Sequence, residues 1–250
     1  MQSNEKMEEG IFFLPAGYYQ EGKLYQEVEL RPLTGREEEL IADRSTDENI
    51  AKLITAILTN CLLRIGPIRE ITTEIVRRLL VVDRDYLILR LRQLTFGDKI
   101  EGTILCPECN QKIDIDFDLN DVGIERKNGF KPTFLMELSK QAAYKIQGEM
   151  HQEIEFRLPN GADQEEIASL IGNEAKALTE LLARCLKRIG SIEKITPDLI
   201  RSLSMLARRE IESRMREVSP SLDLKMDAKC PYCHLNFVNN FDIHTFFLMS

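Results

Sequence analysis

"TILCPECNQKIDIDFDL" (Thr103–Leu119) carries two cysteines separated by two residues and then a strictly alternating run. In that run Ile113, Ile115, Phe117 and Leu119 fall on one side and Asp114, Asp116 and Asp118 on the other, the period-two pattern of a half-buried strand. The segment Lys99–Leu105 ahead of the cysteines also reads as extended, so the outline is a zinc-knuckle hairpin. Cys106 and Cys109 are therefore either half of a tetrahedral four-thiolate site or the dithiol of a redox enzyme.

The other half of a metal site lies downstream. "DAKCPYCHLNFVNNFDI" places Cys230 and Cys233 at an offset of 124 residues from Cys106 and Cys109, and the two remaining cysteines, Cys61 and Cys185, share that offset. "CLLRIGPIREITTEIVRRL" (Cys61–Leu79) aligns without a gap on "CLKRIGSIEKITPDLIRSL" (Cys185–Leu203). Continued to Asp118 and Asp242, the alignment holds eighteen identities in fifty-eight positions, well above chance, so a duplication is expected. Upstream, "VELRPLTGREEELI" (Val28–Ile41) matches "IEFRLPNGADQEEI" (Ile154–Ile167) at an offset of 126. The expected boundaries are 1–125 for a first repeat and 126–250 for a second, diverged one.

Each copy reads as a series of elements. "KLYQEVELRPL" suggests a strand, and "TGREEEL" opens a helix with acidic residues in its first turn, where the helix dipole favours them. "ENIAKLITAILTNCLLRIG" sets Ile50, Leu53, Ile54, Ile57, Leu58 and Cys61 on one helical face and is expected to end at Gly66, as its counterpart ends at Gly190. Thr196 followed by Pro197, and Thr72 in the first copy, predict helix starts. Asp83 is a candidate cap for a further helix through Leu94. The fold class is therefore α+β. It consists of two tandem repeats, each a strand, several helices and a CxxC hairpin, packed about a pseudo-twofold axis that brings the four thiols together.

Composition narrows the function. The 250 residues carry 33 basic and 41 acidic side chains, a net charge of −8, which opposes sequence-independent binding to a phosphate backbone. No apolar run is long enough to span a membrane, and the polar start "MQSNEKMEEG" is no secretory leader, so a cytoplasmic protein is expected, with its thiols reduced or metal-bound. CPYC is also the glutaredoxin tetrapeptide, but there the first cysteine begins a helix, whereas only seventeen extended-looking residues follow Cys233. His234 and His244 are lesser ligand candidates, because Asn110 and Asn120 occupy the matching positions. Cys61 and Cys185 read as core residues. No catalytic constellation, phosphate loop or small-molecule site is recognisable: His151 stands alone and the carboxylate clusters fit a helix start and a wet strand face. The recurring arginines Arg64/Arg188, Arg77/Arg201, Arg84/Arg208, Arg90/Arg214 and Arg92/Arg216 read as a solvated helix face, with an acidic partner groove as the sharper reading. The aromatic segments Ile11–Tyr19 and Phe241–Met249 either tuck against a core or serve as docking surfaces.

The succession of "FLPAGYYQEGKLYQEVELRPLTGREEELI" (Phe13–Ile41), "ILTNCLLRIG" (Ile57–Gly66) and "VVDRDYLILRLRQLTFGDKIEGTILCPECNQKIDIDFDL" (Val81–Leu119) resembles the T-even phage baseplate protein family. These are baseplate hub assembly proteins, or hub assembly chaperones, also found in phage-like contractile injection systems. The resemblance covers about Phe13–Val122; in the second copy Leu158–Gly161 replaces Pro32–Gly35, and Ser219–Ser221 replaces Thr95–Gly97. It implies a non-enzymatic structural or assembly protein whose partners are baseplate hub or tube-initiator subunits, in the cytoplasm of the producing cell or within the particle baseplate. Combined with the cysteine pattern, the expectation is a structural zinc on Cys106, Cys109, Cys230 and Cys233. The alternative left open by the residues is a zinc-binding cytosolic adaptor or regulator unrelated to tails.

Overall fold

A computed structural model describes residues 10–44, 49–127, 131–146, 148–170 and 172–240. Helices and small antiparallel sheets are mixed throughout, an α+β fold. The chain begins with β1 (Ile11–Gln20), β2 (Lys23–Leu30), α1 (Gly35–Arg44), α2 (Ile50–Cys61) and β3 (Leu62–Ile65). It continues through α3 (Thr73–Arg78), α4 (Val81–Phe96) and the hairpin β4 (Lys99–Leu105)–β5 (Lys112–Asp118). After β6 (Gly123–Glu125) come β7 (Phe134–Glu137), β8 (Tyr144–Ile146), β9 (Glu149–His151), β10 (Glu153–Phe156), α5 (Gly161–Ile167), α6 (Glu174–Cys185) and β11 (Leu186–Ile189). The last elements are α7 (Pro197–Ser202), α8 (Met205–Val218), β12 (Ser221–Asp223) and the hairpin β13 (Lys225–Lys229)–β14 (Asn236–Asn240).

The order β2-α1-α2-β3-α3-α4-hairpin recurs as β10-α5-α6-β11-α7-α8-hairpin, and details recur with it. Val28, Glu29 and Leu30 pair with Ile65, Arg64 and Leu62, as Ile154, Glu155 and Phe156 pair with Ile189, Arg188 and Leu186, with the register shifting at the same step. Arg31 clamps Glu37 below α1 at 2.8 Å, and Arg157 clamps Asp163 below α5 at 2.5 Å. Thr72 and Thr196 accept hydrogen bonds from the backbones of Ile75 and Leu199 as N-caps, with Pro197 in the first turn.

Two expected boundaries differ. Helix α2 stops at Cys61 rather than at Gly66, because Leu62–Ile65 leaves the helix to pair with β2. Leu62 and Ile65 are both buried, and their spacing suits a helix face as well as this short strand, so periodicity could not separate the two. Gly66 and Gly190 instead turn the chain after β3 and β11 with φ of +51° and +56°. Asp83 caps nothing: α4 begins after Leu80, and the wholly buried Asp83 carboxylate accepts the N–H of Ala16 at 2.8 Å and of Gly17 at 3.2 Å. Asp83 thereby satisfies backbone N–H groups where the β1 register slips between Phe13 and Tyr18. The Ile11–Tyr19 segment thus tucks in, with Phe12, Leu14, Ala16 and Tyr18 buried; Phe241–Met249 and His244 lie outside the described residues.

The cores interlock. One is built on β1–β3, α2 and α4 but takes in Met226, Leu222 and Leu224 from the far end of the chain; the other, built on β10, β11 and α6–α8, takes in Leu80. Strand β6 pairs with β12, laying the exit from the first hairpin beside the approach to the second. Helix α5 packs against α2, α3 and α4. At that contact Arg84 is fully buried, its Nε donating to Gln164 at 2.9 Å and its Nη2 to the Ala51 carbonyl at 2.9 Å and Thr55 Oγ1 at 3.0 Å. Glu165 completes the contact by accepting from Thr55 at 2.6 Å and pairing with Arg77 at 2.9 Å. Arg84 is thus not on a solvated face, whereas Arg64 and Arg188 do pair with strand carboxylates, Glu29 at 2.7 Å and Glu155 at 3.6 Å.

Candidate metal centre

The two CxxC turns have one construction. In the first, the Cys106 N–H donates to Gln111 O at 3.0 Å and the Asn110 N–H to Cys106 O at 3.0 Å; in the second, Cys230 donates to Leu235 O at 2.9 Å and His234 to Cys230 O at 3.0 Å. Each turn closes through a left-handed residue, Asn110 at φ +58° and His234 at φ +63°. His234 is thus a backbone turn residue, and it is absent from the thiol cluster. Behind each turn an antiparallel ladder runs in unbroken register, Lys99 to Leu105 against Asp118 to Lys112 and Lys225 to Lys229 against Asn240 to Asn236. Asp114 and Asp116 stay exposed while Ile113 is buried.

The hairpin tips meet. Cys106 Sγ lies 3.6 Å from Cys233 Sγ, and Cys109 Sγ lies 3.5 Å from Cys230 Sγ. Exchanging the hairpins exchanges these two pairs, so the arrangement is twofold-like at the tips. All four sulfurs lie within 4.8 Å of one another. A zinc tetrahedron with Zn–S of about 2.3 Å has S···S edges of about 3.8 Å, so the cluster is close enough to hold a metal ion with little adjustment. Cys106 and Cys230 are wholly buried and form a small apolar cluster with Ile113, flanked by Ile104, Leu235 and Phe237, which keeps water from one side.

Electrostatics favour a cation. Burial opposes ionisation of Cys230, but the N–H groups of Cys233 (3.5 Å to the sulfur) and Tyr232 and the adjacent thiols bring it down to about 6. At Cys233 the Leu235 N–H favours the thiolate, yet burial and the neighbouring sulfurs outweigh it and push the thiol up to about 12. At Cys109 the Gln111 N–H also favours the anion and is likewise outweighed by burial and the Cys230 and Cys106 thiols. One thiolate forms readily; a second and third beside it are resisted, and a divalent ion at the centre would cancel that repulsion. A soft four-sulfur donor set suits zinc or iron rather than magnesium or calcium. The dithiol alternative lacks its support: β5 and the turn leading to β14 follow the two motifs, where a redox dithiol requires a helix.

Cys61 and Cys185 lie in the two cores, each pushed up to about 12 by burial, and are inert packing groups. Asp83 and Arg84, expected as a helix cap and as part of a solvated face, are instead buried polar anchors, because their partners include Gly17, 66 residues upstream, and Gln164, 80 residues downstream. Among the described residues no helix is long and apolar enough to cross a membrane.

Comparison with curated proteins and with solved structures produces no match. A match does come from protein families, over residues 18–248, which includes both CxxC hairpins and extends far beyond the resemblance noted in the first half. The chain belongs to the T4 bacteriophage base plate protein family.

Proposed function

We propose that this chain is a non-enzymatic structural or assembly protein of the baseplate hub in a contractile tail, of a phage or of a phage-like injection system, and that a four-cysteine zinc site joins its two halves. The observation that carries the reading is family membership across nearly the whole chain. Its partners are then hub or tube-initiator proteins, met in the cytoplasm of the producing cell. The zinc assignment rests on the four sulfurs of Cys106, Cys109, Cys230 and Cys233 lying within 4.8 Å of one another, contributed equally by the two halves. Duplication of an ancestral unit, with boundaries at 1–125 and 126–250, accounts for the matching registers, caps and turns.

The test is deletion of the gene in the producing system, followed by electron microscopy of tails and analysis of purified particles. Tails lacking a baseplate hub are expected; complete, contractile tails would overturn the assignment. Presence of the chain in finished particles identifies a resident hub component, and absence from them identifies an assembly chaperone. For the metal, the expected outcome is one zinc per chain in the reduced protein, and a tetrahedral thiolate spectrum when cobalt(II) replaces it.

A further inference from the structure

The contact that α5 makes inside the molecule has a second, unfilled version. Its receptor is the cradle around Arg84, and the chain builds that cradle again around Arg208. There Arg208 Nη2 donates to the Ala175 carbonyl at 3.2 Å and to Thr179 Oγ1 at 2.9 Å, the counterparts of the bonds from Arg84 to Ala51 and Thr55. Yet Arg208 Nε, the atom that in Arg84 donates to Gln164, has no partner among the described residues. Arg201, the counterpart of Arg77, keeps a 52 % exposed side chain and, among the described residues, pairs only with acids of its own half, Asp198 at 2.5 Å and Glu180 at 3.5 Å. Met205 and Leu206, the counterparts of the half-buried Val81 and Val82, are 75 % and 45 % exposed.

The ligand of the contact is also present twice. Within the molecule it is Gly161, Gln164 and Glu165; their counterparts at the start of α1 are Gly35, Glu38 and Glu39. Gly161 has to lack a side chain, since a Cβ there would stand 2.5 Å from Arg84 Nη1, whereas at Gly35 such an atom would meet nothing within 4 Å. Glu38 and Glu39 are exposed and without partners among the described residues. So the second cradle offers the open Nε of Arg208 beside an exposed Arg201, and the free helix start offers two carboxylates beside a glycine that its own surroundings do not require.

We propose that a second copy of this chain seats Gly35–Glu39 on the Arg208–Thr179 cradle, repeating between molecules the contact that α5 makes within one. Glu38 then takes the place of Gln164 against Arg208, Glu39 exchanges with Glu180 at Arg201, the longer of that arginine's two ion pairs, and Met205 and Leu206 are covered. The contact joins unlike surfaces, so each molecule keeps one free ligand and one free cradle, and association proceeds head to tail until a ring closes or a filament grows. The inference depends on the internal contact and not on the baseplate assignment.

The test is the mass in solution of full-length, zinc-loaded protein against concentration. The expected result is growth beyond the 28.8 kDa monomer at low salt, reversed by added salt because both new pairs are ionic. Gly35→Leu blocks the ligand side and Arg201→Glu the cradle side, and each variant alone remains monomeric. An equimolar mixture of the two forms a dimer and stops, since one good ligand meets one good cradle. Unchanged melting temperature and zinc content of Gly35→Leu, whose site is open in the monomer, show that folding is intact. A wild-type chain that stays monomeric at every concentration, a Gly35→Leu chain that associates like wild type, or a mixture that stays monomeric overturns the proposal.

Discussion

Two carboxylates illustrate opposite residue-scale electrostatics. Glu37 is held down to about 2, from 4.5, chiefly by its hydrogen bond from Arg31, with the Thr34 backbone and hydroxyl assisting against burial. Its folded pKa is depressed, so its contribution is present above pH 4.5 and lost as pH falls towards 2. Asp83 is pushed up to about 7, from 3.8, by burial that outweighs the Ala16 and Gly17 N–H groups. Its folded pKa is raised, so its contribution is complete below pH 3.8 and lost as pH rises through 7. Urea melts across pH should therefore show Glu37→Gln flattening the acid limb alone and Asp83→Asn flattening the decline between about pH 4 and 7. Sterics give a second expectation. Gly161→Ala drives a methyl into the Arg84 guanidinium and should cost about 1–3 kcal/mol by overpacking, whereas Gly35→Ala should leave the monomer as stable or slightly more so. Chemical denaturation of the two variants side by side checks the contrast.

At the scale of elements, what the sequence disclosed depended on how local the determining interactions are. The hairpin β4–β5 was legible because alternation from Lys112 to Asp118 and a CxxC turn are both encoded in adjacent residues. The caps at Thr72 and Thr196 were legible for the same reason. The α2–β3 junction was not, since only the neighbouring β2 decides that Leu62 extends rather than coils. Asp83 resembled a cap because Asp before an apolar stripe usually is one; its partners come from a strand bulge nearly seventy positions upstream, which no local pattern reveals. In the CxxC turns, the left-handed residue is the position most sensitive to substitution. Asn110→Gly should preserve metal affinity, and Asn110→Val, strained at φ +58°, should reduce it in a chelator competition titration.

At the scale of the whole molecule, the two cores exchange side chains, β6 pairs with β12, and the thiol tips meet, so the halves are tied at three levels. The sequence disclosed the tips through cysteine arithmetic, but the burial of Arg84 under α5 required the packed halves. A chain with Cys106→Ser and Cys109→Ser should lose its metal and several kcal/mol of stability, on the order of a structural zinc site's worth, with the hairpins becoming the first sites cut by protease. Retained metal with unchanged melting would show that the thiols do not bind it. The separation of the two thiol pairs along the chain also orders events at the ribosome. At about 5–20 residues per second, Cys106 and Cys109 emerge roughly ten seconds before Cys230 and Cys233 are made. For that interval the nascent polypeptide carries only two of the four sulfurs, so the cluster can assemble only after the second hairpin has been made, and a product cut short before Cys230 would be left with an unmatched tip.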